Sequence, residues 1–170
     1  MEYVILVDEQ DNETGVMEKM QAHRVGALHR AFSVFIFNSK KEMLLQQRAA
    51  GKYHSAGLWT NTCCSHPRPG ETLLDAATRR LQEEMGLACT LKKTFSFFYK
   101  AHLDNDLTEH ELDHVFIGVT DVLPVPAIAE VASWKYMSLS DLDIDIRLNP
   151  EQYTEWFKIC LRDYSKKYFF

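Results

Sequence analysis

The chain has 170 residues, 46% of them hydrophobic and 25% charged, with a formal net charge of -5. That is enough for one domain, residues 1–170, with a packed core, and it is not the composition of a disordered segment. The acidic balance argues against a non-specific nucleic-acid binder, yet leaves room for a local basic cluster that takes a small anion.

Tyr3–Val7 reads as a first strand rather than an export signal, since no basic segment precedes it. Asp8–Gly15 reads as a polar turn region. Ser33–Phe37 and Met43–Gln47 read as a hairpin around Asn38-Ser39-Lys40-Lys41. The apolar run Ala31–Phe37 is far short of the roughly 20 residues a spanning helix needs, so no membrane segment is expected. Leu58–Cys64 reads as extended, and Pro67-Arg68-Pro69-Gly70 breaks the chain. A helix follows over Thr72–Met85, with Leu74, Ala77, Leu81 and Met85 at helical spacing and Gly86 as its stop. Phe95–Lys100, His114–Thr120 and Trp134–Ser138 read as strands. From Asn149 or Pro150 a long helix carries the stripe Tyr153, Trp156, Phe157, Cys160, Leu161 and Tyr164. The class is α/β (α+β), a mixed sheet with helices packed on it. The four cysteines form no disulfide pattern, which points to reduced thiols in a cytoplasmic protein. Cys89 and Cys160 read as small packing residues.

The segment from Gly70 to Leu87 resembles a Nudix box, a loop–helix–loop that holds a divalent metal against a diphosphate; Glu71, Arg79, Leu81, Glu83, Glu84, Gly86 and Leu87 carry the likeness. Two positions depart from it. Ser65 stands where the box opens with glycine, and Arg80 stands where hydrolases carry a metal-binding glutamate. Arg80 and Glu84 lie four apart on one helix face, so Arg80 can reach a phosphate while Glu84 holds a hard cation on it.

A softer site is suggested by His23, His29 and His66 with Glu109 and Glu111. Residues two apart in an extended segment face the same way, so both carboxylates can reach one ion. Imidazoles with carboxylates suit zinc, manganese or iron better than magnesium alone. The spacing matches no zinc finger, and it does not by itself exclude His54, His102, His110 or His114.

Taken with Leu28–Asn38, Leu58–Pro67 and Glu109-His110-Glu111, the chain resembles type I isopentenyl-diphosphate isomerases from about Glu18 to Phe157. The Trp59-Thr60-Asn61-x-x-Cys64-x-His66-Pro67 element is not expected of Nudix hydrolases. The resemblance implies a Nudix-like mixed β-sheet sandwiched by α-helices and a small-molecule diphosphate substrate. It implies Cys64 and Glu111 as the proton-transfer pair, with Tyr99 assisting the acid. It places a tightly bound Mn2+ or Zn2+ on His23, His29, His66, Glu109 and Glu111. It also places a substrate-linked Mg2+ on Glu84 with Cys64 nearby. Lys19, Arg48, Lys52 and Arg80 fall at diphosphate contacts, and Trp156 at an active-site tryptophan, although Glu155 stands where the family usually has proline.

Moving a double bond needs one group to protonate the terminal alkene carbon and another to remove a proton from the neighbouring methylene. An alkene is a very weak base, so the acid must be held rigidly in a dry pocket. The resemblance puts Glu111 and Tyr99 on the protonating side and Cys64 on the other; the sequence leaves that direction open, and the reaction is reversible. Trp156 can stabilise a cation through its π face, worth ~1–2 kcal/mol. Two other readings compete: a nucleotide pyrophosphohydrolase, against which Arg80 counts, and a non-catalytic metal- or ligand-binding module, which gives Cys64 and Glu111 no task. Oligomeric state is not legible.

Overall fold

A computed structural model describes residues 2–169. Strand β3 (His29–Phe37) organises the molecule. Its even residues Phe32, Val34 and Ile36 pack one way, and Phe35 and Phe37 pack the other, as the two-residue period of a strand requires. On the first face lies α2 (Leu73–Met85), burying Ala76, Ala77, Leu81 and Met85. On the second lie α3 (Leu139–Leu148) and α4 (Glu155–Tyr168), with Leu142, Trp156, Phe157 and Cys160 in the core. The sheet is therefore covered on both sides.

Among the described residues, nine strands share one mixed sheet. Strand β8 (Thr108–Val119) runs parallel to β3 with His29 opposite Glu111. Strand β7 (Lys92–His102) pairs antiparallel with β8, setting Tyr99 opposite Glu111 and Ala101 opposite Glu109. Strand β6 (Cys63–Ser65) pairs with β3, setting Cys64 opposite Ser33. The remaining strands are β1 (Tyr3–Val7), β2 (Glu13–Glu18), β4 (Met43–Arg48), β5 (Trp59–Thr60) and β9 (Val131–Met137). The short helix α1 (Lys19–Val25) crosses to the start of β3, capped by the Glu18 carboxylate, which accepts from the Met20 and Gln21 amides.

The structure corrects the sequence reading at several elements, among them α1 and the first half of β8, which had no expected counterpart. Residues read as a polar turn include the start of β2, an exposed edge strand with too few apolar residues to show alternation. The C-terminal helix starts at Glu155, not Pro150: Pro150–Gln152 is a single 3₁₀ turn and Tyr153 bridges to Trp59. Helix α3, capped by Ser138 onto the Asp141 amide, was hidden by its alternating Asp and Ile residues. In α2, Leu74 is 48% exposed and Leu73 packs in its place. Gly86 closes α2 at φ 64°, and a Cβ there would meet the Val125 carbonyl at 2.7 Å, so the stop at this position requires glycine. Among the described residues no helix is long and apolar enough to cross a membrane.

Candidate active site and metal centre

The parallel starts of β3 and β8, the end of β4, β6 and the middle of β7 converge on a cavity of about 60 Å3. Every site residue expected from the sequence except His23 and His29 lines it: Cys64, Glu111, Tyr99, Lys19, Arg48, Lys52, Arg80, Trp156, His66, Glu109 and Glu84. A wider vestibule of about 600 Å3 shares Lys19, Lys52, His66 and Arg80 with the cavity and adds Arg68 and Arg79.

His23 and His29 sit behind the cavity wall, fully buried. His23 Nδ1 donates to the Lys19 carbonyl at 2.7 Å and His29 Nδ1 to the Ala27 carbonyl at 2.8 Å. Each ring therefore turns a bare Nε2 inward. His23 Nε2 is buried without a protein partner. His29 Nε2 lies 3.2 Å from His66 Nε2 and 3.3 Å from Glu111 Oε1, which is 2.9 Å from His66 Nε2. Donor atoms of His23, His29, His66 and Glu111 all lie within 4.8 Å of one another. Lone pairs converging on one buried point, with backbone carbonyls fixing the rings, fit a divalent cation. Burial keeps His23 below its usual pKa and pushes His66 down to about 4, so both imidazoles are neutral and ready to ligate.

Glu109 joins the cluster through His23. Its carboxylate groups with His23 and His54, within the same 4.8 Å limit, rather than with His29 and His66. Tyr99 ties the two carboxylates together: its hydroxyl is 3.0 Å from Glu109 Oε2 and 2.5 Å from Glu111 Oε2. Burial and the charge of Glu111 push the Glu109 carboxyl well above its usual range. Burial would raise Glu111 also, but the imidazoles of His29 and His66 outweigh it and hold this carboxyl well below.

The alternation of β6 separates the two adjacent cysteines. Cys63 is fully buried against α2, whereas Cys64 lines the cavity. Burial raises the Cys64 thiol, with Arg48 opposing. Asn61, in the break between β5 and β6, donates to the Val34 and Cys63 carbonyls and accepts from Trp156 Nε1 at 3.3 Å. One buried amide so fixes both the cysteine strand and the tryptophan. Arg48 lies 5.3 Å from the Trp156 ring and donates to the His54 carbonyl at 3.1 Å.

Three of the four expected cations rest on carboxylates. Lys19 pairs with Glu2 at 2.8 Å, Lys52 with Glu130, and Arg80 with Glu84 at 2.6 Å and Glu83 at 2.8 Å. Glu84 is 3% exposed and also accepts from Gln46 Nε2 at 2.9 Å. The sequence reading missed Tyr53, Glu130 and the buried Asp113, which accepts from Ser33 Oγ at 2.7 Å, and left His54 unassigned. Asp113 could have been found: it continues the alternation of Glu109 and Glu111 onto the same face.

A sheet between helices, with the box helix turned towards an anion-sized cavity, is the architecture of a NUDIX domain, and the NUDIX domain family matches residues 27–157. The DR0079 protein of Deinococcus radiodurans has the same fold, with a TM-score of 0.79 at 17% identity over 96% of this chain and 99% of that one. So does the MutT protein of Methanosarcina mazei, with a TM-score of 0.68 at 18% identity over 82% and 94%. Among curated proteins, isopentenyl-diphosphate Delta-isomerase 2 of Aromatoleum aromaticum is 56% identical over 158 residues, 93% of this chain and 84% of that protein. The isopentenyl-diphosphate Delta-isomerase of Pectobacterium atrosepticum is 56% identical over 156 residues, 92% and 87%. The chain belongs to the isopentenyl-diphosphate Delta-isomerase family, built on the NUDIX domain.

Proposed function

We infer that this enzyme interconverts isopentenyl diphosphate and dimethylallyl diphosphate by a 1,3-allylic proton shift that serves isoprenoid biosynthesis. Near-full-length identity of 56% to named isomerases carries the reading. The site supports it, because Cys64 and the Glu111–Tyr99 pair reach one enclosed cavity from different strands. Whichever of Cys64 and Glu111 enters as acid leaves as base, which a reversible shift requires. Glu111, protonated and hydrogen-bonded by Tyr99, gives its proton to the terminal alkene carbon, and Cys64, as the thiolate, takes one from the neighbouring methylene; exchange with solvent then returns a proton to Glu111 and removes one from Cys64. Trp156 presents an aromatic wall to the carbocation that forms between the two transfers.

His23, His29, His66, Glu109 and Glu111 hold a tight Mn2+ or Zn2+. When bound, that ion neutralises the buried carboxylates and fixes Glu111. Glu84 holds a Mg2+ that arrives with the diphosphate. Lys19, Arg48, Lys52 and Arg80 take the phosphate oxygens, exchanging the carboxylates on which three of them rest. Binding at the diphosphate end then positions the reacting carbon. The test is incubation of the purified protein with isopentenyl diphosphate, Mg2+ and Mn2+, followed by NMR of the product. Dimethylallyl diphosphate is expected. Release of phosphate or isopentenol with no allylic product would favour a hydrolase.

A further inference from the structure

His54 has no role in the assignment above, and the structure gives it one. The ring is 2% exposed, on the loop between β4 and β5. Its Nδ1 is 3.2 Å from Ser55 Oγ and its Nε2 is 3.3 Å from Glu109 Oε1. With Nδ1–H donating to the serine hydroxyl, Nε2 is a lone pair turned towards Glu109. His23 and His29 are arranged in the same way, each with Nδ1 tied to a backbone carbonyl and Nε2 turned into the cluster. A separation of 3.3 Å is long for a bond from an imidazole to a carboxylate. It suits two neighbouring ligands of one ion: at bonds of about 2.1 Å, adjacent corners of an octahedron are about 3 Å apart and opposite corners about 4.2 Å.

Within each group of donors the same spacing holds. His29 Nε2, His66 Nε2 and Glu111 Oε1 form a triangle with edges of 3.2, 2.9 and 3.3 Å. His54 and Glu109 form a further edge, and His23 Nε2, buried and without a partner, lies within 4.8 Å of every donor in both groups. His54 and Glu109 each lie more than 4.8 Å from at least one donor of the first group, and His23 belongs to both groups, so an ion that draws Glu109 in must close the two groups together about His23 and brings His54 with it.

We propose that His54 is a sixth protein ligand of the tight ion, with His29–His66–Glu111 and His23–His54–Glu109 as opposite faces of one octahedron. The inference rests on the reading that the His/Glu cluster holds an ion, and it deepens that reading. An ion with six protein ligands has no place for water or a phosphate oxygen. It acts by fixing Glu111 and balancing buried charge, and the diphosphate must be held at the Glu84 side.

The experiment strips the full-length protein with a chelator and titrates it with Mn2+ alone, following binding and the relaxivity of water protons. The wild type is expected to take one ion with no exchangeable water on it. His54→Ala should weaken binding at least tenfold, since even outer partners of metal ligands are worth about 10–100-fold. It should also raise relaxivity by the contribution of one inner-sphere water. His54→Phe keeps the ring's bulk without a donor atom and should show the same loss of affinity, which guards against a folding defect in the smaller variant. If both variants hold Mn2+ within twofold of wild type at unchanged relaxivity, His54 is no ligand. A wild-type chain that binds no Mn2+ would overturn the sixth ligand together with the metal reading beneath it.

Discussion

Tyr99→Phe isolates one hydroxyl. The phenol is buried, and its oxygen contacts Glu109 at 3.0 Å and Glu111 at 2.5 Å. Burial, reinforced by both carboxylates, holds its pKa well above the usual value, so it is an undissociated donor across the working range. Phenylalanine preserves the packing against Phe97, whose ring centroid lies 5.8 Å away, and removes only the donor. A hydrogen bond to a charged group is worth about 1.5–3 kcal/mol. At about 1.4 kcal/mol per tenfold, kcat should fall roughly 10–150-fold if the bond matters at the proton-transfer step. KM for isopentenyl diphosphate should stay within about twofold, because the hydroxyl bonds to neither Arg80 nor Lys52. Steady-state kinetics on the Mn2+-loaded protein, with metal content measured alongside, gives both numbers. An unchanged kcat, or a raised KM at normal kcat, would show that the hydroxyl does not serve proton transfer.

Arg80→Glu would add a carboxylate beside Glu83, Glu84 and Glu130, which now surround the guanidinium. Inhibition by inorganic pyrophosphate should weaken at least tenfold and no hydrolase should appear, whereas robust nucleoside-diphosphate hydrolysis by the unmodified protein would refute this use of the box helix. The chelated protein should lose stability in acid. His54, His66 and His114 are buried, which pushes them down to about 3, about 4 and about 4, whereas in the unfolded chain they titrate near 6.5. Between those values the unfolded state binds more protons, so stability is complete above about pH 6.5 and falls as the pH drops towards 4. At about 1.4 kcal/mol per unit that amounts to at most roughly 3.5 kcal/mol each for His66 and His114 and roughly 5 kcal/mol for His54. A urea midpoint flat from pH 7 to 4.5 would contradict the neutral, buried histidines.

The elements that announce themselves by period or punctuation were legible: β1, the β3–β4 hairpin and α2 between Thr72 and Gly86. Strands whose burial is polar were not. The Thr108–Asp113 half of β8 reads as a charged segment, yet Glu109, Glu111 and Asp113 are each at most 5% exposed. Only the tertiary pairing with β3 and β7 explains why carboxylates are buried there. The cavity residues were legible through the family likeness, as was the choice of Cys64 over Cys63, which strand alternation supports. His54 and Glu130 were not, because their contacts to Glu109, Lys52 and Arg80 are made to residues far from them in sequence. Nor does spacing reveal that Glu109 and Glu111, two residues apart, share His23 but otherwise group with different histidines.

The account stands on Cys64 and Glu111 as the proton pair, and Cys64→Ala compared with Cys63→Ala tests it most directly. Both variants are assayed with isopentenyl diphosphate in deuterated water, with metal content and melting temperature recorded. Cys64 lines the cavity and belongs to neither group of clustered His and Glu donors, so its removal should leave the fold and the tight ion in place while isomerisation almost vanishes. Cys63→Ala, a modest loss of packing against α2, should still turn over and place deuterium in dimethylallyl diphosphate. Near-normal turnover by Cys64→Ala with its metal retained would remove the thiol from the mechanism.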